Sequence, residues 1–334
     1  MYTIGQARRF NFLNKYSSMD GVVLASPDNY KISYSINPLT NKKSIVDSKK
    51  AMEQFIRLKA RFENNHITVH VIDAKVADPE GKYPDLVFVS NSALILRGFP
   101  KVAILARYAH PERQGEQDRV GAYLKHVLGY RVIALPDIKG LYFEGQGDTR
   151  WSYQPEAGRH STAASPLRSH QPEAGRHDKG KQHLWMCYGA GRTTKAGIEA
   201  VRGIILAEAS KLGIAPPTIH SLQIVEKKTY HLDLCFLPIL NVVLLHGTSF
   251  SPASRKEIAN HFGKDLVVNV PLKYMYACNS VILNETTLLI PKLGDGCRQW
   301  MYEKTGMRIE EINVDQFHLA GGSVSCMVLP LWSK

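Results

Sequence analysis

The chain has 334 residues, 44% apolar and 22% charged, which fits a globular protein with a sizeable core and excludes a disordered one. Its five cysteines (187, 235, 278, 297, 326) are scattered, odd in number and without a Cys-x-x-Cys pair, which argues against a disulfide framework and a structural zinc site. The formal net charge of +12 is not massed in one tract, the densest run being NKKSIVDSKK at 41–50, so no nucleic-acid partner is expected. No apolar run is long enough to span a bilayer, and MYTIGQARRFNFLNKYSS lacks the continuous apolar stretch of a signal peptide. A cytoplasmic protein without membrane association is the expectation.

Taken in chain order, the sequence alternates β-type runs with helical ones. YKISYSI (30–36) reads as a strand, SKKAMEQFIRLKARFENN (48–65) as an amphipathic helix and HITVHVI (66–72) as a strand. DLVFVSNSALIL (85–96) and KVAILARY (101–108) follow as strands, then a helix in GEQDRVGAYLKHVLG (115–129) and a strand in RVIALP (131–136). Further on come a helix in KAGIEAVRGIILAEASKLG (195–213), strands in HLDLCFLPI (231–239) and NVVLLH (241–246), and a helix in SPASRKEIANHFG (251–263). DLVVNV, SVILN, TLLIP, RIEEINV and VSCMVLPL complete the strands. Strands outnumber what a doubly wound sheet needs, so a mixed α/β architecture is expected.

One segment stands apart. The heptad QPEAGRH occurs at 154–160 and again at 171–177, in a polar stretch from about Ser152 to Gln182. It reads as a flexible, repetitive insertion. Its histidines, with His183 beside it (160, 170, 177, 183), have no acidic or cysteine partner at ligand spacing, so a His-rich loop is preferred to a metal site.

Four stretches carry chemistry. YPDLVFVSNSALIL (83–96) holds Asp85 and Asn91, LYFEGQGDTRW (141–151) holds Glu144 and Asp148, and YHLDLCFLPI (230–239) holds His231 and Asp233. LAGGSVSCMVLPL (319–331) holds Cys326 behind Gly321 and Gly322. Read as a strand, HLDLC would place His231, Asp233 and Cys235 on one face, an imidazole beside a carboxylate that raises its pKa and orients it. Each stretch alone also fits an ordinary structural role.

Together and in this order, they resemble the guanidine-modifying (pentein) superfamily of arginine deiminases, dimethylarginine dimethylaminohydrolases and amidinotransferases, over roughly Tyr30 to Leu331. YSINPL (34–39), PDLVFVSN (84–91), ARYAHPERQGE (106–116), MCYGAGRT (186–193) and YACNSVIL (276–283) are most similar to the arginine dihydrolase branch. The resemblance implies a single catalytic domain over 1–334, interrupted by the insertion. It also implies a five-bladed α/β propeller of ββαβ modules around a central channel. It assigns Cys326 as nucleophile, His231 as general acid/base, Glu144 and Asp233 as guanidinium-binding acids, and Asp85 as a further acid near the substrate. Arg113 would take the substrate carboxylate, and Asn37 is another binding position. Cys235 is read as packing, and no metal or cofactor is implied.

Asn91 departs from the deiminase pattern, which has Asp at that place. An amide adds no charge, so the site would tolerate the neutral ureido group of citrulline and hydrolyse it onward to ornithine. The expected substrate is L-arginine or a related guanidino compound. A deiminase, a methylarginine hydrolase and an amidinotransferase remain alternatives, as does a non-catalytic binding module like the propeller-fold ribosome anti-association factor. Assembly into homo-oligomers is left open.

Overall fold

The computed structural model describes residues 19–154, 181–239 and 242–332. The strands are β1 (Gly21–Ala25), β2 (Thr68–Ile72), β3 (Ala93–Ile95), β4 (Val102–Leu105), β5 (Arg131–Ile133), β6 (Thr149–Gln154), β7 (Lys181–Gly189), β8 (Thr218–Ile224), β9 (Phe236–Ile239), β10 (Val242–Leu245), β11 (Val267–Asn269), β12 (Val281–Asn284), β13 (Thr287–Pro291), β14 (Arg308–Ile312) and β15 (Leu329–Leu331). They form five three-stranded sheets: β15-β1-β2, β3-β4-β5, β6-β7-β8, β9-β10-β11 and β12-β13-β14. In each, the middle strand pairs antiparallel with the first and parallel with the third. A parallel pair needs a crossover, and one helix supplies it each time. These helices are α1 (Ser48–Asn64), α2 (Glu116–His126), α3 (Lys195–Leu212), α4 (Pro252–Phe262) and α5 (Cys297–Thr305). The expected five ββαβ modules are therefore present. The ring closes where β15, from the far end of the chain, pairs with β1 through Gly21–Leu331, Val22–Pro330 and Val23–Leu329.

The helices form for local reasons. Asp47 caps α1 by accepting from Lys50 N–H, and Ala51, Phe55, Leu58 and Phe62 follow at helical spacing as its buried stripe. Thr194 caps α3 by accepting from Gly197 N–H, and Gly213 ends it in the left-handed region at φ 62°. Ser251 followed by Pro252 starts α4 in the same manner. These stripes pack on their sheets; β7 adds the fully buried Trp185, whose indole N–H donates to Ser152 Oγ at 2.9 Å.

Several expected strands are shorter or absent. YKISYSI forms no strand. DLVFVSNSALIL is two 3-10 turns, Pro84–Val87 and Val89–Ser92, before the three residues of β3. HLDLC is not extended: Leu232–Cys235 is a helical turn, so the alternate-face argument for His231, Asp233 and Cys235 does not hold. Within VSCMVLPL only Leu329–Leu331 is strand, and Cys326 lies in the turn before it. Side chains from other modules hold the last two turns, Asp148 at Leu232 and Asn279 at Ser325, a constraint that local periodicity does not carry. Strands β1, β6, β7 and β8 and helix α5 were not expected. The insertion drawn at 152–182 is also too wide, because Ser152 pairs with His183 and Gln154 with Lys181. Residues 155–180, with most of the QPEAGRH repeat and His160, His170 and His177, lie outside the described residues. Among the described residues no helix is long and apolar enough to cross a membrane.

Two glycines of α3 test this packing. A Cβ on Gly197 would sit 1.9 Å from the Tyr142 carbonyl oxygen, which already accepts from Thr194 N–H, whereas a Cβ on Gly203 meets no atom within 4 Å. Alanine improves helix propensity by about 1 kcal/mol at either place, but backbone overpacking costs about 1–3 kcal/mol. Gly203→Ala is expected to raise the urea-unfolding free energy and Gly197→Ala to lower it. Equal shifts in the two variants would show that the α3 contact is not tight.

Candidate functional site

Every module begins with a short turn that leads into its first strand. The turns are Val89–Ser92, Gly145–Asp148, Leu232–Cys235, Leu272–Cys278 and the loop 323–327. On or beside them lie Asn91, Glu144, His231, Asp233, Asn279 and Cys326, all essentially buried. The pseudo-repeat thus delivers side chains distant in sequence to one place.

Glu144 precedes the second turn. Its Oε2 lies 2.7 Å from His231 Nε2 and 3.1 Å from Arg192 Nη1. Burial pushes its carboxyl pKa up, but Arg192 and the His231 hydrogen bond outweigh that and hold it well below the usual range. Arg192 also donates to the Ile36 carbonyl at 2.9 Å and lies over the Tyr230 ring. Asp148 accepts from Thr193 Oγ1, Cys187 Sγ and Leu232 N–H, the last at 3.3 Å, which fixes the turn after His231. Burial pushes Asp148 up to about 6.

Cys326 sits under a different set of contacts. Its thiol donates to Asp233 Oδ2 at 3.2 Å and receives Asn279 Nδ2 at 3.2 Å. Asn279 Oδ1 accepts from Ser325 N–H at 2.8 Å and the Cys326 N–H at 3.4 Å, so one amide positions both backbone and sulfur. Arg150 Nη2 holds Ser325 Oγ at 2.8 Å from the other side. Burial first, and the Asp233 carboxylate second, push the Cys326 thiol well above its ordinary pKa. The thiol of this site is therefore neutral at pH 7 when the site is empty.

The glycines ahead of Cys326 have separate reasons. Gly321 is left-handed at φ 81°, and a Cβ there would meet Asn37 Oδ1 at 2.6 Å. A Cβ on Gly322 would sit 2.2 Å from the Phe88 ring.

Cys326, His231, Asn91, Asp85, Arg113 and Arg192 share one narrow cavity, with Phe88 and Tyr230 as aromatic walls. Asn91 Oδ1 accepts from Arg113 Nη1 at 3.1 Å, while Asn91 Nδ2 is buried without a partner. Asp233 Oδ1 is likewise buried and unpartnered. Arg113 is bound bidentately by Glu116 through Nε and Nη2, which keeps its guanidinium charged. Burial pushes Asp85 up, against the pull of Arg113. Asn37 also lines the cavity, but its Nδ2 donates to the Ala320 carbonyl and its Oδ1 accepts from Leu39 and Thr40 N–H. Its side chain thereby organises the 37–40 loop against the Gly-Gly turn.

Glu144 sits differently from the sequence expectation. Its carboxylate is turned to His231 and Arg192 and is not part of the cavity wall. Cys235 Sγ donates to the His231 carbonyl and packs in the core, as read from the sequence. Arg192, Tyr230, Phe88 and Asn279 were not singled out from sequence. Arg192 and Asn279 lie within GAGRT and YACNSVIL, so the signal was in motifs already noticed. A wider cavity of ≈ 940 Å³, lined by Trp151, Leu237, Val281, Ser325 and Trp332, contains neither Cys326 nor His231.

No family model matches the chain. An uncharacterised protein of Caenorhabditis elegans is 25% identical over 93% of both chains. The bifunctional arginine dihydrolase/ornithine cyclodeaminase AgrE of Nostoc is 26% identical over 92% of this chain, which spans 37% of that protein's length. The N(G),N(G)-dimethylarginine dimethylaminohydrolase of Mycobacterium tuberculosis is 24% identical over 92% of this chain and 84% of its own. Among solved structures, the product-bound N-terminal domain of ArgZ, a cyanobacterial arginine dihydrolase, superposes with a TM-score of 0.72 at 24% identity, over 94% of this chain and 98% of that one. Its five ββαβ modules, together with these relatives, support placing the chain in the guanidine-modifying (pentein) superfamily.

Proposed function

We propose that this protein is a hydrolase that attacks the guanidino group of L-arginine through Cys326 and carries the reaction past citrulline to ornithine, two ammonia and carbon dioxide. The observation that supports it most is the wall of one buried cavity. It joins a thiol, an imidazole held by a carboxylate, and an unpartnered amide N–H. We take the whole chain as one catalytic unit with 155–180 as an insertion.

The chemistry follows from these contacts. The guanidinium cation enters a site rich in carboxylates and favours ionisation of the neutral thiol, whose proton passes to His231. The Cys326 thiolate forms a C–S bond to the central guanidino carbon as the C=N electron pair moves to nitrogen. The C–N bond to one amino group then breaks, and that nitrogen takes the proton from His231 and leaves as ammonia. A cationic amidino-thioether remains. His231, now neutral, takes a proton from water as its oxygen adds to the carbon. Breaking the C–S bond returns the thiolate, which is reprotonated, and yields citrulline. Glu144 touches neither partner; it orients His231 and stabilises its protonated form. Asp233 faces the sulfur with one oxygen and offers the unpartnered one to the guanidino N–H groups. Asp85 supplies further negative charge, and Arg113 and Arg192 provide cationic wall for the substrate carboxylate.

Asn91 bears on the second round. A guanidinium presents only N–H donors, whereas the ureido group of citrulline presents a carbonyl acceptor. The unpartnered Asn91 Nδ2 is a donor suited to that oxygen. The dimethylarginine hydrolase likeness keeps a methylated guanidino substrate as the second reading.

Purified protein incubated with L-arginine is expected to release two ammonia per arginine and ornithine; one ammonia with citrulline makes it a deiminase. Cys326→Ala and His231→Ala should each lower kcat at least 100-fold, and full activity in either variant overturns the mechanism. Asn91→Asp keeps a partner for Arg113 but removes the amide donor, so the ammonia count should fall from two towards one. The raised thiol pKa fixes the pH dependence. Because the thiol proton is the one that His231 later gives to the departing ammonia, the protonated free enzyme is the reactive form, and kcat/KM should stay level as pH increases from 7 to 9. A profile that rises steeply across that range would mean that the reactive form has already lost this proton to solvent, and would overturn the transfer to His231.

A further inference from the structure

We propose that His183, His220 and His261 form a binding site for a divalent transition-metal ion of zinc type, which clips the third module of the ring to the fourth. His183 lies on β7 and His220 on the neighbouring β8, while His261 comes from α4 of the next module. Their ring nitrogens all lie within 4.8 Å of one another. The cluster is remote from the hydrolytic site in chemistry and shares none of its residues, so the inference stands apart from the function proposed above.

Hydrogen bonding fixes the nitrogens. Glu257 Oε1 lies 2.9 Å from His220 Nδ1, which therefore carries the proton and donates it. His220 Nε2 is left as a lone pair, and His183 Nδ1 lies 2.9 Å from it. In the empty cluster one proton is shared across that contact. The other nitrogen of His183, Nε2, is buried and has no partner, though the residue is only 5% exposed. An ion that replaces the shared proton gains bonds from both rings. Since His183 Nε2 lacks a partner in either tautomer, it loses no hydrogen bond in the exchange.

The geometry needs little adjustment. Zinc–nitrogen bonds of about 2.0–2.1 Å in a tetrahedron set ligand nitrogens about 3.3 Å apart. The His183–His220 contact has to open by a few tenths of an ångström. His261 supplies the third side, its ring centre 4.4 Å from that of His183 and 5.1 Å from that of His220. Trp185 stacks flat on the His220 ring at 3.8 Å and fixes its plane. The Glu257–His220 pair supplies the carboxylate behind a ligating imidazole that orients many metal-bound histidines. A shallow hollow lined by Ala253, Lys256, Glu257 and Asn260 opens on His220 and His261, giving an access path and a fourth position for water. Lys256 and Lys181 oppose a cation nearby; Glu257 offsets part of that.

The sequence expectation of a His-rich loop without ligand spacing missed this grouping, because the partners of His183 lie on another strand and another helix. The test is a calorimetric titration of chelator-treated full-length protein with Zn²⁺, and a parallel one with Co²⁺ read by its visible spectrum. One equivalent of Zn²⁺ is expected to bind with micromolar affinity or better, to raise the unfolding temperature, and to give Co²⁺ the intense bands of a tetrahedral nitrogen site. Glu257→Gln should weaken binding about 10–100-fold, and His261→Ala or His220→Ala by more. His261 is partly exposed on α4, so its variant keeps the test open if His220→Ala does not fold. Cys326→Ala, and a deletion of residues 155–180 that removes His160, His170 and His177, should both bind Zn²⁺ as the parent does. Binding that survives His261→Ala, that disappears in either control, or that is absent at about millimolar Zn²⁺ overturns the proposal.

Discussion

The centre of the ring has to bury charge, and most of the arrangement around it answers that demand. Asp85, Glu116, Glu144, Asp148 and Asp233 are all buried, and the guanidiniums of Arg113, Arg150 and Arg192 are buried with them. An isolated buried ion is too costly to persist, so each must find an opposite charge or several donors. Glu116 takes Arg113 bidentately, Glu144 takes Arg192 and His231, and Asp148 gathers a hydroxyl, a thiol and a backbone N–H. Among the described residues Arg150 donates to the Thr149 carbonyl and Ser325 Oγ. Among the described residues Asp85 and Asp233 have no cation at salt-bridge distance, and one Asp233 oxygen has no partner. The centre is electrostatically incomplete. A planar cation that brings N–H donors in its plane would complete it, and guanidinium is such a group.

Closure of the ring makes that centre possible. The last strand, β15, can pair with β1 only if the preceding turn passes beside the other four lead-in turns, and Cys326 lies in that turn. The turns hold each other across module boundaries. Asp148 of the third module fixes Leu232 of the fourth, and Asn279 of the fifth fixes Ser325 ahead of the closing strand. Side-chain carboxylates and amides thus satisfy backbone N–H groups that the sheets leave free. Removal of one partner from a buried hydrogen-bonded pair costs about 3–5 kcal/mol when charge is stranded. The same contacts therefore serve stability and place the reactive groups.

Much of this was legible from sequence, for identifiable reasons. Four crossover helices announce themselves by apolar spacing, and Asp47, Thr194 and Ser251 cap three of them. α5 does not, because CRQWMYEKT buries only Cys297, Met301 and Thr305 between two left-handed glycines. Asn37, Asp85, Asn91, Arg113, His231 and Cys326, which line the cavity, were named through the ordered motifs, whereas Phe88, Arg192 and Tyr230 were not. What failed was their local geometry. HLDLC alternates as a strand would, yet Asp148 and the turn before β9 bend it into a helical turn. Such long-range hydrogen bonds leave no period in the sequence. Net charge misleads in the same way: +12 describes the surface, while the buried centre carries an excess of acid.

The neutral thiol then acquires a meaning beyond its own pKa. Asp233 receives the Cys326 proton and discourages thiolate formation, while Asn279 Nδ2 favours it from the other side. An enzyme with a preformed thiolate would be open to oxidation and to any electrophile that reached it. Here the carboxylate that suppresses the nucleophile also has an unpartnered oxygen, which on the proposed reaction a guanidinium would bind. Engagement of that carboxylate by substrate removes the negative charge felt by sulfur and adds a positive one. On the proposed reaction, recognition and activation are consequently one electrostatic event. A neutral amide-bearing molecule of similar shape would fill the cavity without relieving Asp233, and would leave Cys326 protonated. Citrulline escapes that exclusion only if another group accepts its carbonyl, and Asn91 is the unpartnered donor on the cavity wall. On the proposed reaction, the difference between stopping at the ureido stage and continuing to ornithine rests on one amide nitrogen.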